Sequence, residues 1–381
     1  MIACLTPLPP SPTGVADYSV DLLTRLRQRR EVSVFVEDLR SRETLPGWPI
    51  FGEQEVAKHN FKTILYQLGN NKLHRFAYDE ALRRPGVVVL HDALLQHLLL
   101  GESWAAWERE FVFTYGERGR EIAANLRDGV PGSQEGFFRY PLVKRVVEAS
   151  RAVIVTNRGA EARVRRESPG ADVRVIPLPF VRRGREVTRE EARRELGIAP
   201  DVFLLGFFGY ARESKLMPAV LRVYDALRWR VPRAAFVQVG EFTSDEQERF
   251  LGPRMAALGV RRVGHVSDQD FEKWGVACDA IVNLRFPSAG ESSGVSVRMM
   301  GLGVPVVMTE SAENQDYPDD ACLKIPHGEI EEALLLEYLL ALEEKPELGR
   351  AVGANAREYV KGAHDPDRVV DLYLEVLESI D

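Results

Sequence analysis

Short apolar runs rich in β-branched residues alternate with helical patterns along this chain. In the first half, strands are predicted at residues 2–5, 32–36, 63–68, 87–90, 152–156 and 173–176. After residue 186 the alternation restarts, with strands predicted at 203–208, 235–239, 262–264, 280–284, 305–308 and 323–325. Because strands that alternate with helices form right-handed βαβ units, each half predicts a parallel sheet flanked by helices.

A segment rich in proline and arginine interrupts the alternation between residues 177 and 186. Prolines disfavour both helices and central strands, and domain boundaries often fall in such segments. We therefore predict a linker near 178–186, with one domain at residues 1–178 and a second at 179–364. The predicted fold class is α/β, with two doubly wound, Rossmann-like domains facing a cleft. Ligands of open α/β sheets bind outside the carboxyl ends of the strands, where we look for site residues.

The charge balance argues against a nucleic-acid partner. The chain has 57 acidic and 50 basic residues and a formal net charge of −7, whereas nucleic-acid binding requires a concentrated basic surface. The arginines between Arg25 and Arg30 are interpreted as a solvated helix end, with attraction to anionic lipid as the alternative. No run approaches the ~18 apolar residues of a membrane span. The apolar residues 94–100 are interpreted as a buried helix, and peripheral membrane contact through them is the alternative if the substrate is a lipid.

The three cysteines, Cys4, Cys278 and Cys322, lie far apart and form no CxxC pair. They predict neither a disulfide framework nor a zinc site, and they favour a reducing compartment. Residues 1–5 lead straight into a proline-rich loop and predict a first strand, because a signal peptide requires a basic start and a longer apolar run. The predicted location is therefore the cytoplasm.

The most informative stretch runs from residue 284 to residue 307 and is predicted as strand, loop, helix and strand. Its loop, PSAGESSG, consists of turn-forming residues, and the following helix places Val295, Met299 and Leu302 on one face. Such a loop presents backbone N–H groups and the positive end of a helix dipole at the edge of a parallel sheet, which suits a diphosphate. The alternative is an ordinary turn with a serine N-cap.

Polar residues follow several other predicted strands. A proline-rich loop after residues 2–5 contains Gly14, which suits closure over a phosphate or an acceptor sugar. His91 and Asp92 follow residues 87–90, and His91 is a candidate hydrogen-bond donor to a sugar hydroxyl. Asn70 and Asn157 follow two further strands as candidate contacts for a hydroxyl-rich ligand. For each of these residues a purely structural role is the alternative.

In the second half, the sequence GYARESK at 209–215 joins a predicted strand to a helix predicted at 215–229. Arg212 and Lys215 at a helix N-terminus oppose the helix dipole, which points to an anion between them. A guanidinium fork and an ammonium group can neutralise a diphosphate without a metal ion, and solvated surface charges are the alternative. His265 and Val266 follow another strand as candidate contacts for a nucleobase. The DxD patterns at 268–270 and 365–367 begin helices, so N-capping explains them better than metal binding.

Together these residues resemble the retaining glycosyltransferases of the GT-B fold, family 4 (glycosyltransferase group 1). The resemblance covers nearly the whole chain. It is carried, in order, by PSPTGVADYS at 10–19, by His91 and Asp92, by GYARESK, and by PSAGESSG with GVPVV between 287 and 307. It implies that a C-terminal helix, at 365–381, crosses back to the N-terminal domain. It also implies a UDP- or GDP-linked sugar as donor, a saccharide or lipid-linked acceptor, and neither a metal nor another cofactor.

The resemblance further implies roles for single residues. Glu291 would hold the ribose or donor sugar, Arg212 and Lys215 would stabilise the leaving phosphate, and His91 would touch the donor sugar; these four are the predicted catalytic residues. Backbone N–H groups at 292–294 would bind the diphosphate. The predicted substrate-binding residues are Gly14, Asp17, Tyr18, Asn70, Asp92, Asn157, Gly209, His265, Val266, Ser292, Ser293, Gly294 and Arg298.

The chain departs from the family pattern at one point. The family has two glutamates separated by seven residues, and counting back from Gly303-Val304-Pro305 places the second at Arg298, whereas counting eight forward from Glu291 gives Met299. Either the loop is one residue shorter and the second acid is dispensable, or donor binding is altered or lost.

The predicted function is transfer of a sugar from a nucleotide diphosphate donor to a hydroxyl acceptor, with retention and without a metal. One alternative is a sugar-nucleotide epimerase or hydrolase of the same fold. Another is a catalytically silent partner subunit that binds nucleotide sugars, which the absent second glutamate motivates. A nicotinamide-dependent enzyme is disfavoured because no G-x-G-x-x-G follows the first strand.

Overall fold

The computed structural model describes residues 1–59, 61–129 and 135–380. The described chain forms two compact units. The first unit comprises Met1–Pro179, Pro287–Ser292 and the described part of 366–381, and the second comprises Phe180–Phe286 and Ser293–Asp365. The loop 287–292 thus belongs to the first unit, although it lies within the second half of the sequence.

Each unit contains a parallel sheet. The strands are β1 (Ile2–Leu5), β2 (Val32–Val36), β3 (Ile50–Gly52), β4 (Thr63–Leu68), β5 (Val87–Leu90), β6 (Ala152–Val155), β7 (Val173–Val175), β8 (Phe203–Phe208), β9 (Ala234–Val239), β10 (Arg261–Gly264), β11 (Ala280–Asn283), β12 (Val306–Glu310) and β13 (Leu323–Pro326). The strand order is β3-β2-β1-β4-β5-β6-β7 in the first unit and β10-β9-β8-β11-β12-β13 in the second.

Helices fill the connections between the strands. They are α1 (Gly14–Arg29), α2 (Ser41–Thr44), α3 (Arg75–Arg83), α4 (Gln96–Leu100), α5 (Trp104–Tyr115), α6 (Glu117–Arg127), α7 (Glu135–Phe138), α8 (Lys144–Ala149), α9 (Arg158–Glu167), α10 (Arg189–Leu196), α11 (Met217–Arg230), α12 (Asp245–Ala257), α13 (Asp268–Ala277), α14 (Gly294–Gly301), α15 (Glu331–Glu344), α16 (Pro346–Ala363) and α17 (Pro366–Ser379). Short 3-10 turns lie at Glu53–Lys58, Lys72–His74, Glu213–Lys215 and Ala312–Asn314.

Both faces of the first sheet are covered, as its apolar strands predict for a parallel sheet. Along β1, Ala3 and Leu5 enter one core cluster, whereas Ile2 and Cys4 enter the cluster on the opposite face. The latter cluster also contains Val369 and other apolar residues of α17. The fold therefore has the doubly wound α/β architecture that the sequence predicts, and its C-terminal helix packs in the first unit.

The arginines at the end of α1 contact α17. Arg29 forms ion pairs with Asp371 and, at 3.3 Å, with Asp367, and Arg30 pairs with Glu378. The interpretation of this cluster as a solvated helix end was therefore incomplete. The partners are more than 330 residues away in sequence, so no local pattern could identify them.

Several element predictions are corrected. The three-residue edge strand β3 was not predicted because it is too short to show a pattern. The sequence pattern of residues 104–126 predicts one helix, but the structure has two, because Gly116 adopts a φ of 65° between α5 and α6. The pattern of residues 134–149 also predicts one helix, whereas the structure has α7 and α8 there, and residue 134 lies outside the described residues.

Two further corrections concern the candidate site. The helix predicted at 215–229 begins at Met217, after Leu216 with a φ of 55°, so Arg212 and Lys215 precede α11 and do not occupy its first turn. In α14 the buried residues include Val297 and Met300 besides Met299, whereas Val295 is only half-buried, because the helix packs on several sides. Within the described residues, no helix is both long and apolar enough to cross a bilayer.

Candidate functional site

Each sheet has one point where the strand order reverses. It lies between β1 and β4 in the first unit and between β8 and β11 in the second. Connections from adjacent strands run to opposite sides of the sheet at such a point and leave a crevice at the carboxyl edge. Most of the predicted site residues follow the strands that flank these two points.

The loop after β1 is held by hydrogen bonds next to the strand and has no close neighbour at Gly14. Thr6 Oγ1 lies 2.6 Å from Ser19 Oγ, and both residues are buried. Thr13 caps α1 by accepting a hydrogen bond from the Val15 N–H at 3.4 Å. Gly14 is the first residue of α1, and a Cβ added there would meet no atom within 4 Å. Asp17 is exposed in the first turn of α1. Ligand contact by Gly14 or Asp17 stays a prediction.

His91 is held in a buried polar cluster at the carboxyl ends of β4 and β5. Its Nε2 lies 2.7 Å from Oε1 of Gln67, and its ring contacts Tyr18 edge to face at a centroid distance of 4.6 Å. The Tyr18 hydroxyl in turn lies 2.5 Å from the hydroxyl of Tyr373 on α17. Helix α17 is thereby connected to a predicted catalytic residue through one side chain.

The environment of His91 restricts its chemistry. Burial, with a smaller contribution from His74, lowers the pKa of His91 to about 3. The imidazole is therefore neutral near pH 7. Because its Nε2 faces an amide oxygen, this nitrogen carries the proton and Nδ1 is left as an acceptor. Donation from Nε2 is directed to Gln67, and Nδ1 can accept a hydrogen bond. Contact of His91 with a donor sugar stays a prediction.

Asn70 and Asp92 join the ends of β4 and β5. Asp92 accepts a hydrogen bond from the Asn70 N–H at 2.7 Å. The Asn70 side-chain oxygen accepts from the N–H of His97 at 2.8 Å at the start of α4. The structure brings these two predicted residues together, and their observed hydrogen bonds order the loops. Substrate contact by either residue remains a prediction.

Asn157 holds the loop 287–292. Its oxygen caps α9 by accepting from the Ala160 N–H at 2.7 Å, and its Nδ2 donates to the Gly290 carbonyl and to Ser292 Oγ, both at 3.0 Å. Gly290 has a φ of 84°, and a Cβ there would lie 2.7 Å from Cβ of Ala93, so this position requires glycine. Two predicted site residues, Asn157 and Ser292, are in direct contact.

Glu291 accepts hydrogen bonds from other residues of the same loop. One carboxylate oxygen accepts from the Ala289 N–H at 2.8 Å and from Ser288 Oγ at 3.4 Å. The side chain is half-buried. Its predicted role toward the ribose or donor sugar remains a prediction.

In the second unit, the Lys215 side chain contacts the last residue of β8. The ammonium group is buried, donates to the Phe208 carbonyl at 2.6 Å and lies 5.2 Å from the centre of the Phe207 ring. Gly209 follows with a φ of 82°, and a Cβ on it would lie 2.9 Å from Lys215 Nζ and 3.6 Å from a methyl group of Val295. Lys215 and the first turn of α14 therefore both border the backbone of Gly209. Arg212, which precedes Lys215 in the sequence, is exposed.

The N-terminus of α14 is fixed by a residue that the sequence analysis did not identify. Asn283, the last residue of β11, donates from Nδ2 to Ser293 Oγ at 2.8 Å and to Ser296 Oγ at 2.7 Å. Ser293 is the N-cap and accepts from the Ser296 N–H at 3.2 Å. At Gly294 an added Cβ would meet no atom within 4 Å. A polar residue ending an apolar strand is the same signal that identified His91, and it could have found Asn283.

Arg298 contacts acidic residues of α13. It forms ion pairs with Asp268 at 3.0 Å and with Glu272 at 3.3 Å, and its guanidinium lies 4.5 Å from the centre of the Phe271 ring. Burial opposes ionisation of Asp268, but hydrogen bonding and charge from Arg183 and Arg298 outweigh it and lower the pKa of that carboxyl. Nothing in the sequence indicated this network, because Glu272 lies inside a helix.

The remaining predicted residues are less constrained. His265 is exposed and Val266 half-buried after β10. Among the residues that the structure describes, no group of three or more histidine, cysteine or acidic side chains is placed to hold a metal ion. The first unit also has a cavity of about 360 Å³ beside the loop after β1, lined by Leu8, Ser11, Glu37, Asp38, Leu73 and Phe76 among others.

No protein-family model matches the chain. A curated relative, the D-inositol 3-phosphate glycosyltransferase of Saccharomonospora viridis, is 28% identical over 252 residues, which cover 61% of this chain and 57% of that protein. The chain therefore spans a little over half of the length of this relative.

The similar solved structures include those of two proteins that match along the whole chain. The Anabaena protein HepE, in complex with UDP-glucose, superposes with a TM-score of 0.72 at 18% identity, with 100% of both chains covered. Sucrose-phosphate synthase from Thermosynechococcus elongatus gives a TM-score of 0.73 at 16% identity, again with 100% of both chains covered. The fold of this chain is that of the GT-B glycosyltransferases, with two Rossmann-like domains that each contain a parallel sheet.

Proposed function

We propose that this protein is a glycosyltransferase of family 4 type, which moves a sugar from a nucleotide diphosphate sugar to a hydroxyl acceptor with retention and without a metal ion. The observation that carries the proposal is that Lys215 and the first turn of α14 both lie next to the backbone of Gly209. An ammonium group, a glycine backbone and a helix N-terminus together form a site suited to a diphosphate.

The second unit supplies the donor site in this proposal. Asn283 holds Ser293 and Ser296 in place, so the N–H groups of the first turn of α14 are oriented before a ligand arrives. Such preorganised donors stabilise charge that develops on a leaving group without further rearrangement. Arg212 adds a second cation, and His265 and Val266 are the proposed contacts for the base.

In the proposed reaction the bond between the anomeric carbon and the oxygen of the distal phosphate breaks. The electron pair stays on that oxygen, where Lys215, Arg212 and the α14 N–H groups stabilise the negative charge. The acceptor hydroxyl oxygen forms the new bond on the same face of the oxocarbenium-like sugar. Its proton passes to the leaving phosphate, so no additional base is required. His91, being neutral, would accept a hydrogen bond from a sugar hydroxyl.

The first unit supplies the acceptor side in this proposal. The cavity beside the loop after β1 combines the apolar surfaces of Leu73 and Phe76 with the carboxylates of Glu37 and Asp38. Sugar hydroxyls donate readily to carboxylates, and apolar walls suit the carbon face of a sugar ring. A saccharide or the sugar of a lipid-linked acceptor fits this chemistry.

A UDP-linked donor is the first choice to test, because HepE was solved with UDP-glucose. A GDP-linked donor is the alternative. Calorimetric titration with UDP and GDP, followed by mass spectrometry of reactions with pooled acceptors, tests binding and transfer separately. We expect Lys215→Ala to weaken nucleotide binding by about tenfold or more, equivalent to about 1.4 kcal/mol, and to abolish transfer. Lys361→Ala, an exposed lysine at the end of α16, is the matched control.

These results distinguish the proposed transferase from its two alternatives, the silent subunit and the epimerase or hydrolase. If neither nucleotide binds to the wild-type protein, the donor-site proposal fails. Binding without product from any acceptor would favour the catalytically silent subunit, in which Arg298 pairs with α13 in place of an acid that holds the donor. Conversion of the nucleotide sugar without an acceptor would indicate the epimerase or hydrolase.

A further inference from the structure

Tyr373 on α17 contacts two residues that in turn contact His91. Its hydroxyl oxygen lies 2.5 Å from that of Tyr18. Burial raises the pKa of Tyr373 well above its ordinary value, and the Gln67 side chain opposes this rise. An amide N–H directed at a hydroxyl oxygen has this effect, because it stabilises the ionised form. Since Tyr18 and Gln67 both contact His91, the four side chains form a closed network, which we call the Tyr373 network.

The amide of Gln67 has different neighbours at its two ends. Its Oε1 lies 2.7 Å from Nε2 of His91. Its Nε2 is buried and, within the part of the chain that the structure describes, makes no hydrogen bond of normal geometry. The contact of this nitrogen with the Tyr373 hydroxyl is therefore long or bent. The contact still matters, because a buried amide N–H without any acceptor costs free energy.

The hydroxyl groups of Tyr18 and Tyr373 have a defined direction of donation. Burial raises both pKa values, but their mutual hydrogen bond lowers the pKa of Tyr18 and raises that of Tyr373. This pattern arises when Tyr373 donates and Tyr18 accepts. Because a hydroxyl group has one hydrogen, the Tyr373 oxygen is left as an acceptor toward Gln67. This acceptor favours the amide orientation in which Nε2 faces Tyr373 and Oε1 faces His91.

The Tyr373 network is neutral near pH 7 and shielded from solvent. Burial raises the pKa values of both tyrosines and lowers that of His91 to about 3. Each of the four residues is at most 9% exposed, so water does not readily replace a lost partner. The network therefore acts on His91 through hydrogen-bond geometry and packing, and not by transferring a proton.

The position of Tyr373 is set by the packing of α17. Val369 and Leu377 of this helix are buried in the core cluster that also contains Tyr18. At the surface, α17 is tied to the end of α1 by the ion pairs of Arg29. Because this packing does not depend on the Tyr373 hydroxyl group, removing the hydroxyl group should leave α17 in place.

We propose that Tyr373 is a positioning residue, whose hydroxyl group fixes the amide orientation of Gln67 and thereby keeps the proton of His91 on Nε2 and leaves Nδ1 as an acceptor. The proposal rests on the proposed function only for the contact of His91 with the donor sugar, because a sugar hydroxyl would donate to Nδ1. Without the Tyr373 hydroxyl, the Gln67 amide loses the acceptor that distinguishes its two ends. The amide can then rotate and direct its Nε2–H at His91, whose proton moves to Nδ1.

Tyr373→Phe removes this hydroxyl group and keeps the aromatic ring. Nitrogen-15 spectra of histidine-labelled protein are expected to show an increased Nδ1–H fraction at His91. In the transfer reaction, kcat is expected to fall about fivefold, as for the loss of one ordinary hydrogen bond, with the nucleotide Kd unchanged. Tyr66→Phe is the matched control, because the Tyr66 hydroxyl donates to the Arg84 carbonyl at 2.7 Å and its side chain packs in the opposite core cluster. Neither readout should change in this control.

The route through Gln67 is tested by combining variants. In Gln67→Leu protein, Tyr373→Phe should cause no further change in the His91 tautomer, since the amide is already absent. Tyr18→Phe is a second, independent variant. It frees the Tyr373 hydroxyl to donate toward Gln67, which favours the rotated amide and the same shift toward Nδ1–H.

An unchanged His91 tautomer in Tyr373→Phe would overturn the proposal, as would the same result in Tyr18→Phe, should Tyr373→Phe not fold. So would an equal shift in Tyr66→Phe, or a further shift when Tyr373→Phe is added to Gln67→Leu. A tautomer shift without a loss of kcat would contradict the positioning role in transfer. Circular dichroism checks that each variant is folded. If the wild-type protein transfers no sugar, the proposed function fails, whereas the histidine spectra still test the effect of Tyr373 on His91.

Discussion

Glu272 binds Arg298 and a backbone turn with one carboxylate. Its Oε1 accepts from Arg298 Nη2 at 3.3 Å and from the Arg183 N–H at 3.0 Å, while Oε2 accepts from the Gly184 N–H at 2.9 Å. Glu272 is buried. Arg298, which the resemblance to family 4 places at the second acid, is thus part of a network within the second unit. This network connects α14 and α13 to the segment after Pro179.

Removing Glu272 from this network is expected to lower the stability of the protein. Glu272→Ala would leave two backbone N–H groups without this acceptor and would remove one of the two carboxylates that pair with Arg298. We expect it to lower the free energy of unfolding by about 3 kcal/mol. Urea unfolding measures the change. The matched control is Glu332→Ala, which breaks the exposed ion pair with Arg222 and is expected to cost less than about 1 kcal/mol. Equal losses in the two variants would contradict the structural role of Glu272.

A glutamate at position 298, where the resemblance to family 4 implies an acid, is not expected to improve nucleotide binding. Arg298→Glu would place three carboxylates together, since Asp268 and Glu272 both face this position. Like charges at this distance repel and raise each other's pKa, so the protein should lose stability without a gain in nucleotide affinity. Melting temperature and calorimetric Kd for the nucleotide measure both effects. Tighter nucleotide binding in this variant would show that position 298 contacts the donor directly.

Gly209→Ala tests the proposed diphosphate site. The added Cβ would lie 2.9 Å from Lys215 Nζ on a backbone with a φ of 82°. We expect nucleotide affinity to fall by about tenfold and stability to fall by about 1–2 kcal/mol from backbone strain. Gly197→Ala is the matched control, because its φ is 68° and its Cβ would meet no atom within 4 Å. This control should lose stability alone, and unchanged affinity in both variants would count against the site.

The buried histidines predict how stability depends on pH. Burial lowers the pKa of His91 to about 3 and that of His74 to about 4, below the ordinary value of 6.5. The unfolded chain therefore binds more protons than the folded chain between these values, and stability is lost as pH falls from about 6.5 toward 3. Urea unfolding of the wild-type protein at about pH 7 and pH 4.5 measures this loss. The loss should be smaller in His91→Gln and unchanged in His265→Gln, whose side chain is exposed.

Gln67 is expected to set the tautomer of His91. With its amide oxygen 2.7 Å from Nε2, the proton should reside on Nε2, and Gln67→Leu should shift it toward Nδ1. Nitrogen-15 spectra of histidine-labelled protein distinguish the two tautomers. We expect Gln67→Leu to lower kcat more than it changes the nucleotide Kd. Gln96→Leu, a second buried glutamine of the first unit that donates to the Tyr140 carbonyl, is the control. An Nδ1–H tautomer in the wild-type protein would contradict the assignment.

The alternation of strands and helices was sufficient to predict two parallel sheets, and the strand positions were close to those observed. Two of the helix predictions were wrong because a single backbone angle decided the outcome. Gly116 and Leu216 adopt positive φ values that end or delay a helix. A glycine in a helical pattern is ambiguous from sequence alone, and Leu216 gives no local signal, because it adopts this conformation only within its tertiary surroundings.

The sequence by itself determined that polar residues follow the strands, since His91 and Asn157 come directly after predicted strands and must lie at the carboxyl edge of a parallel sheet. Only the tertiary structure decided their partners. Asn157 meets Gly290 across 133 positions, Tyr18 meets Tyr373 across 355, and Arg298 meets Glu272 across 26. The physical reason is that local pattern fixes the direction of a side chain, whereas its hydrogen bonds and pKa depend on which distant groups the packing of helices and strands brings within a few ångströms.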